Sequence, residues 1–114
     1  MDYVIRSMQK EDIPYVQHVA KTSWNSTYEG IIPRKVQENF LQAAYNDDRM
    51  EMRLQRSFLY VAKVDGKIAG FVKFSPVNEE GKAELGAIYL LPAHQGNGIG
   101  SALLKRGNRG TGEF

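Results

Sequence analysis

Three glycines, at positions 96, 98 and 100, stand between an apolar run that ends at Leu91 and a helix-forming run, Ser101-Ala102-Leu103-Leu104. This strand–glycine loop–helix order constrains the fold more than any other stretch. Glycine lets the backbone approach a ligand closely and aim successive N–H groups into one concavity. The helix that follows adds the positive end of its dipole. Such a device suits a phosphate or pyrophosphate, and it equally suits a structural turn with a helix cap. Two phosphate motifs do not fit. A P-loop closes with Gly-Lys-Ser/Thr, and no lysine lies in this segment. A dinucleotide fingerprint places its third glycine six positions along, where Ser101 stands.

The rest of the chain sets the frame. Tyr3 to Ser7 reads as a strand. Glu11 and Asp12 open a helix, with negative charge at the dipole's positive end, and Pro14 is tolerated in its first turn. Ile13, Val16, Ala20 and Trp24 recur at helical spacing, and Thr27-Tyr28-Glu29-Gly30 breaks the pattern. A second helix is expected from Pro33, with Val36, Phe40 and Ala44 facing the core. Asn46-Asp47-Asp48 is a break and fresh cap, followed by a short helix marked by Met50 and Leu54. Phe58–Val64, the turn Asp65-Gly66 and Lys67–Phe74 predict a hairpin. Asn78-Glu79-Glu80-Gly81 predicts another turn, and Lys82–Leu91 a third meander strand that Pro92 ends. Strand, two or three helices, three antiparallel strands, glycine loop and helix make an α+β layer fold.

The stretch from Ala87 to Leu104, with Ile88-Tyr89-Leu90 before Pro92 and Gln95, Gly98 and Gly100 in the loop, resembles the acetyl-CoA signature of the GNAT N-acetyltransferase superfamily. The element order before the loop resembles that family too. The segment Ser23-Trp24-Asn25-Ser26-Thr27-Tyr28-Glu29-Gly30-Ile31-Ile32-Pro33 looks like the first-helix end of bacterial members, polyamine-acetylating ones among them. The resemblance covers about residues 3–106 and stops short of the family's later strand, its helix bearing Asn and Tyr, and its final hairpin. The domain is expected to span residues 1–106 and to be incomplete. The glycine-rich residues 107–114 are expected to be a non-native or flexible tail.

The resemblance implies acetyl transfer from acetyl-CoA to a primary amine by direct attack, the alternative being a CoA-binding or regulatory module without catalysis. It assigns the pantetheine arm to the backbone of Ile88, Tyr89 and Leu90. The pyrophosphate falls to Gln95, Gly96, Asn97, Gly98, Ile99, Gly100 and Ser101. A backbone N–H near Leu90 would polarise the thioester carbonyl, and Glu84 holds the position of a general base acting through water. Trp24 and Tyr28 are candidates to line the acceptor pocket, with Glu29 beside them, although Trp24 suits a core position equally and Glu29 suits a solvated turn better. His94 and His18 read as solvated residues.

Composition enters as exclusion. Fifteen basic and 13 acidic residues give a net charge of +2 with both signs mixed along the chain, so no nucleic-acid footprint is expected. The absence of cysteine rules out disulfides, thiolate nucleophiles and cysteine-type metal sites, and no metal is expected. No apolar run approaches membrane-spanning length, and the expected location is the cytoplasm. The open edge of the Lys82–Leu91 strand predicts a homodimer.

Overall fold

The computed structural model describes residues 3–75, 79–81, 84–96 and 98–111. In chain order they form β1 (Tyr3–Ser7), a 3-10 turn (Lys10–Asp12), α1 (Ile13–Tyr28), α2 (Arg34–Ala44), α3 (Asp47–Arg56), β2 (Phe58–Val64), β3 (Lys67–Phe74), β4 (Leu85–Leu90), a second 3-10 turn (Pro92–His94) and α4 (Ile99–Thr111). The strands make one antiparallel sheet in the order β1-β2-β3-β4. This is the α+β fold that the sequence predicts.

Turn chemistry sets the register. Asp65 and Gly66 both take positive φ, 52° and 81°, as a tight hairpin with the sheet's natural twist requires. Val64 therefore pairs with Lys67. The pairing then slips twice. Ala69 is an extra residue between the partners of Ala62 and Lys63, and Gly86 is extra between the partners of Lys73 and Phe74. Glu79-Glu80-Gly81 is a turn, with Gly81 at φ 79°; Asn78 and Lys82, predicted for the turn and the strand, lie outside the described residues. β4 begins at Leu85, with the bulge at Gly86 inside it, and of the strand predicted from Lys82 the residues Lys82 and Ala83 lie outside the described ones. Beyond the bulge, Ser75 N–H still donates to the Glu84 carbonyl, while Glu84 N–H turns to Ser75 Oγ.

Helices cover both faces of the sheet. On one, α1 contributes Ile13, Val16, Val19 and Ala20 and α3 contributes Met50, against Leu59, Val61, Ile68 and Phe71. On the other, Ile99 and Leu103 of α4 pack on Tyr60, Ala62, Val72 and Phe74. α4 continues past Arg106, and Gly107 is buried against the Phe74 ring with no room for a Cβ. Asn46 caps α3 by accepting from Arg49 N–H, and acids in its first turn and arginines in its last complement the dipole. Arg6 of β1 and Asp12 make a two-bond ion pair at 2.7 and 2.9 Å, which ties the first strand to the start of α1.

α2 departs from the prediction. Val36 and Phe40 are 53% and 43% exposed, whereas Gln37 and Leu41 turn inward. The helix packs along α1 rather than on the sheet, so its inner stripe is shifted by one position. Gln37 is tolerated inside because its Nε2 donates to the carbonyls of Ile32 (2.7 Å) and Tyr28 (3.3 Å), closing the α1–α2 turn.

Candidate active site

β4 is an edge strand, and its free side leads into the glycine loop. Leu91 N–H donates to the Ala69 carbonyl, and Gly70, Phe71 and Val72 pair with Leu90, Tyr89 and Ile88. Antiparallel hydrogen bonding alternates, so the backbone groups of Tyr89 and Leu91 point to β3 and those of Ile88 and Leu90 point to the open edge. Two side chains confirm the direction. The Leu90 carbonyl accepts from Ser23 Oγ of α1 at 2.8 Å and from Gln95 Nε2 of the loop at 3.3 Å. The N–H groups of Ile88 and Leu90 and the Ile88 carbonyl remain along that edge.

Gly70 makes this edge possible. A Cβ there would overlap the Leu90 side chain and come within 2.8 Å of the Tyr89 carbonyl oxygen. Leu90 instead lies over bare backbone, and its other methyl packs beneath Gly100 in the first turn of α4. The chain then passes through the Pro92–His94 turn to Gly96 and Gly98, at φ 83° and 79°, with open space where a Cβ would be. Ala102 N–H donates to the Gly98 carbonyl, so Gly98 begins the helix. The N–H groups of Gly98, Ile99, Gly100 and Ser101 therefore have no carbonyl of their own helix to pair with. Ile99 is fully buried and wedges the helix end against the sheet. Gln95, Gly96, Gly98 and Ser101 are exposed, as an anion cradle needs, and Asn97 lies outside the described residues.

The opposite face of the sheet at β4 is aromatic and basic. The Tyr89 ring packs 5.5 Å from Phe71, with Tyr45 edge-on to both at 6.3 Å. Burial pushes the Tyr45 hydroxyl well above its ordinary range. The Arg53 guanidinium lies 4.8 Å from the centre of the Tyr45 ring. Lys73, on the same face as Phe71, runs along the bulge, its Nζ 3.6 Å from where a Gly86 Cβ would be. Burial, and secondarily Arg53, lowers the Lys73 ammonium from its ordinary value.

Glu84 is exposed and makes no side-chain hydrogen bond or ion pair among the described residues. At strand rise it lies about 13 Å along the chain from Ile88 and about 20 Å from Leu90. Trp24 is half-buried, stacked on Phe40 and tilted against Tyr28, each at 4.4 Å between ring centres. Glu29 is exposed and paired with Arg34 at 3.3 Å. The glycine loop and the Ile88–Leu90 edge are thus contiguous, and Ser23 of α1 reaches them through the Leu90 carbonyl, while Trp24 stacks on Phe40 and Tyr28. Glu29 and Glu84 stand further off. His18 is exposed, and His94 is half-buried.

Sequence reasoning missed Ser23, Gly70, Tyr45, Arg53 and Lys73. Gly70 carried a signal, a glycine inside an otherwise apolar strand. Ser23 also carried one, a hydroxyl on the inward stripe of α1 three positions after Ala20. The other three come together through tertiary packing, from α3, its approach and β3.

Among the described residues, no helix is long and apolar enough to cross a membrane and no three His, Asp or Glu side chains converge as metal ligands. The family model of the acetyltransferase (GNAT) family matches residues 17–107. An uncharacterized N-acetyltransferase of Bacillus subtilis is 34% identical over 106 residues, covering 90% of this chain and 61% of the relative. A spermidine N(1)-acetyltransferase of Thermoplasma acidophilum is 30% identical over 110 residues, covering 91% and 67%. Among solved structures, the PaiA N-acetyltransferase of Thermoplasma acidophilum in complex with coenzyme A is similar with a TM-score of 0.91 at 25% identity, over 99% of this chain and 74% of that one. A GNAT family acetyltransferase of Brucella melitensis in complex with acetyl-CoA gives a TM-score of 0.70 at 28% identity, over 96% and 68%.

Proposed function

The chain belongs to the GNAT acetyltransferase family, and on that footing we propose that it transfers an acetyl group from acetyl-CoA to a primary amine of a small molecule by direct attack. The observation that carries this reading is the open edge of β4 running straight into the start of α4. The diphosphate would sit on the N–H groups from Gln95 to Ser101, where the helix dipole and the loop both favour negative charge. From there the pantetheine arm runs back along β4 as an added strand, pairing with Leu90 and then Ile88. The loop-proximal end is taken by the diphosphate, so the thioester falls toward Ile88 rather than Leu90. Ile88 N–H then polarises the thioester carbonyl and stabilises the oxyanion. Ser23 and Gln95 hold the Leu90 carbonyl, which keeps its N–H aimed outward.

The amine attacks the thioester carbon, the C–S bond breaks, and the CoA thiolate leaves. Before attack the ammonium must lose a proton, and Glu84 is the proposed acceptor, reached through water. Trp24 and Tyr28 supply aromatic faces for the cationic amine. Glu29 would act on the same cation only by releasing Arg34. The spermidine-acetylating relative supports a polyamine-like acceptor. We place the activity in the cytoplasm, in a homodimer. The second reading is a CoA-binding or regulatory module without turnover. The chain spans 61% of the Bacillus relative's length.

Calorimetry with CoA tests the proposal. CoA should bind, and Ser101→Asp, which sets a carboxylate against the diphosphate, should weaken it at least about tenfold. No binding at millimolar CoA sinks both readings. Acetylation of spermidine by this chain would rule out the module, and light scattering that gives a monomer would remove the dimer.

A further inference from the structure

On the α1–α3 face, α1 and the β2–β3 hairpin enclose a cleft of about 550 Å³. Tyr15 and His18, one turn apart on α1, line one wall, and Lys63 and Lys67 line the hairpin side. The sheet register places Lys63 there. Leu59 and Val61 precede it at alternate positions and belong to the core under α1. Lys63 pairs with Ile68 of the same core, so it shares their face, and it ends an otherwise apolar row half-buried. Lys67 stands exposed where the chain leaves the tight turn at Asp65-Gly66.

The cleft holds an excess of positive charge. Asp12 is the one carboxylate among the described residues that line it. Both Asp12 oxygens are engaged by Arg6, and Gln9 N–H is a further donor. Lys63, Lys67 and His18 make no ion pair among the described residues. A half-buried ammonium is costly unless an anion meets it. Two lysines at one cleft suit a dianion, which a phosphate monoester is near neutral pH, and lysine meets phosphate as a point charge. The remaining lining is apolar or aromatic. Ile68 is buried and Leu91 half-buried. Tyr15 is 61% exposed, so its ring is open to a flat partner. The volume lies in the range of small-molecule sites.

We propose that this cleft binds a phosphate monoester joined to an aromatic ring, the chemistry of a nucleotide. The phosphate sits between Lys63 and Lys67 with His18 as a further donor, and the ring stacks on Tyr15 above Ile68 and Leu91. The site is separate from the glycine loop, whose free N–H groups begin α4 on the other face of the sheet. A free nucleotide carries this chemistry, and so does the 3′-phosphoadenosine end of CoA. Leu91, from which the glycine loop departs, lines the cleft and keeps the second source in play. A polyamine is repelled by the same cations, so the cleft does not compete for the proposed acceptor. The site does not depend on acetyl transfer at β4.

Calorimetry on the full chain with adenosine 5′-monophosphate (AMP) tests the proposal. AMP should bind, and adenosine, without the phosphate, should bind at least about tenfold more weakly. Lys63→Met and Lys67→Met should each weaken AMP at least about tenfold. Lys63→Arg should retain it, and Ser101→Asp, which disturbs the glycine loop, should leave it unchanged. Circular dichroism establishes that each variant is folded. If CoA is the source, Lys63→Met also weakens CoA but not dephospho-CoA, and AMP competes with CoA. If a free nucleotide is the source, AMP and CoA bind together and the lysine variants spare CoA. No binding at millimolar AMP, adenosine binding as well as AMP, AMP binding that persists in both methionine variants, or its loss in Ser101→Asp overturns the proposal. Failure of CoA to bind while AMP still binds would instead sink the transfer reading and leave this site standing.

Discussion

The two sides of β4 are built by different means. On the α4 side, the proposed cofactor site is built from backbone: two glycines at positive φ, a helix start with unpaired N–H groups, and an edge strand with its amides facing out. On the α1–α3 side the surface is built from side chains delivered by separate elements, Arg53 from α3, Tyr45 from the turn before it, and Lys73 and Tyr89 from neighbouring strands. A backbone site is specified by a contiguous motif, and a side-chain site by packing between distant segments. The first side should therefore respond sharply to substitutions that change φ or insert a Cβ, and the second to loss of charge.

Gly70→Ala should give the largest effect and break the backbone side first. The new methyl overlaps Leu90 and crowds the Tyr89 carbonyl, so β3 and β4 must separate or Leu90 must leave its place under Gly100. Overpacking of this kind costs about 3 kcal/mol. Chemical denaturation should show that loss, and CoA binding should fall with it. Unchanged stability would mean that the strand edge yields freely, and the contrast between the two sides would weaken.

Arg6→Met tests a charge on the α1–α3 face without touching β4. Asp12 is buried and held by Arg6 and by the Gln9 N–H, and Arg6 is the main reason its carboxyl titrates below the usual range. A lowered carboxylate contributes stability that is present above its unfolded value and is lost as pH falls through the folded one. The variant should lose about 2 kcal/mol at pH 7. Its deficit should shrink on acidification below about pH 4, where the native protein surrenders the same interaction. Denaturation curves at pH 7 and pH 3 decide this, and a deficit that stays constant would assign the loss to packing of the Arg6 stem instead.

Gly98→Ala isolates the glycine loop. There is open space for the methyl, so only the positive φ opposes it, at about 1–2 kcal/mol. Gly86→Ala, without positive φ and with Lys73 at ordinary contact distance, should cost less. Thermal melts that rank the two in the reverse order would show that space, and not conformation, limits these glycines.

What the sequence made legible follows the same division. The hairpin at Asp65-Gly66, the cap at Asn46 and the loop at Gln95–Gly100 are local codes, each read from a few adjacent residues, and the fold order followed from them. The inner stripe of α2 was misread because period alone does not say which neighbour a helix meets. Val36, Phe40 and Ala44 recur as regularly as a core stripe, yet α2 lies on α1 and buries Gln37 and Leu41. The Arg53, Tyr45 and Tyr89 cluster was invisible for a stronger reason. Tyr45 and Tyr89 are far apart in sequence, and the three meet only through the sheet register and the docking of α3. Glu84 was expected on the third meander strand, whereas it stands just before β4, and its distance from Ile88 depends on the bulge at Gly86.

Ser23→Ala should have the smallest effect and says most about how the two sides communicate. Ser23 Oγ donates from α1 to the Leu90 carbonyl on the open edge, so it joins the α1–α3 face to the edge of β4. Removing a hydroxyl from a buried position costs about 1 kcal/mol, less where the acceptor keeps another donor, as Gln95 Nε2 provides here. The melting temperature should therefore fall by only a few degrees. The Leu90 peptide, however, is then held by one exposed glutamine at 3.3 Å. If Leu90 N–H pairs with the pantetheine arm, CoA affinity should drop by more than the loss of stability implies, and Ser23→Thr should restore it. A CoA affinity that does not move would mean that β3 alone orients the edge, and the two sides of β4 would then be mechanically independent.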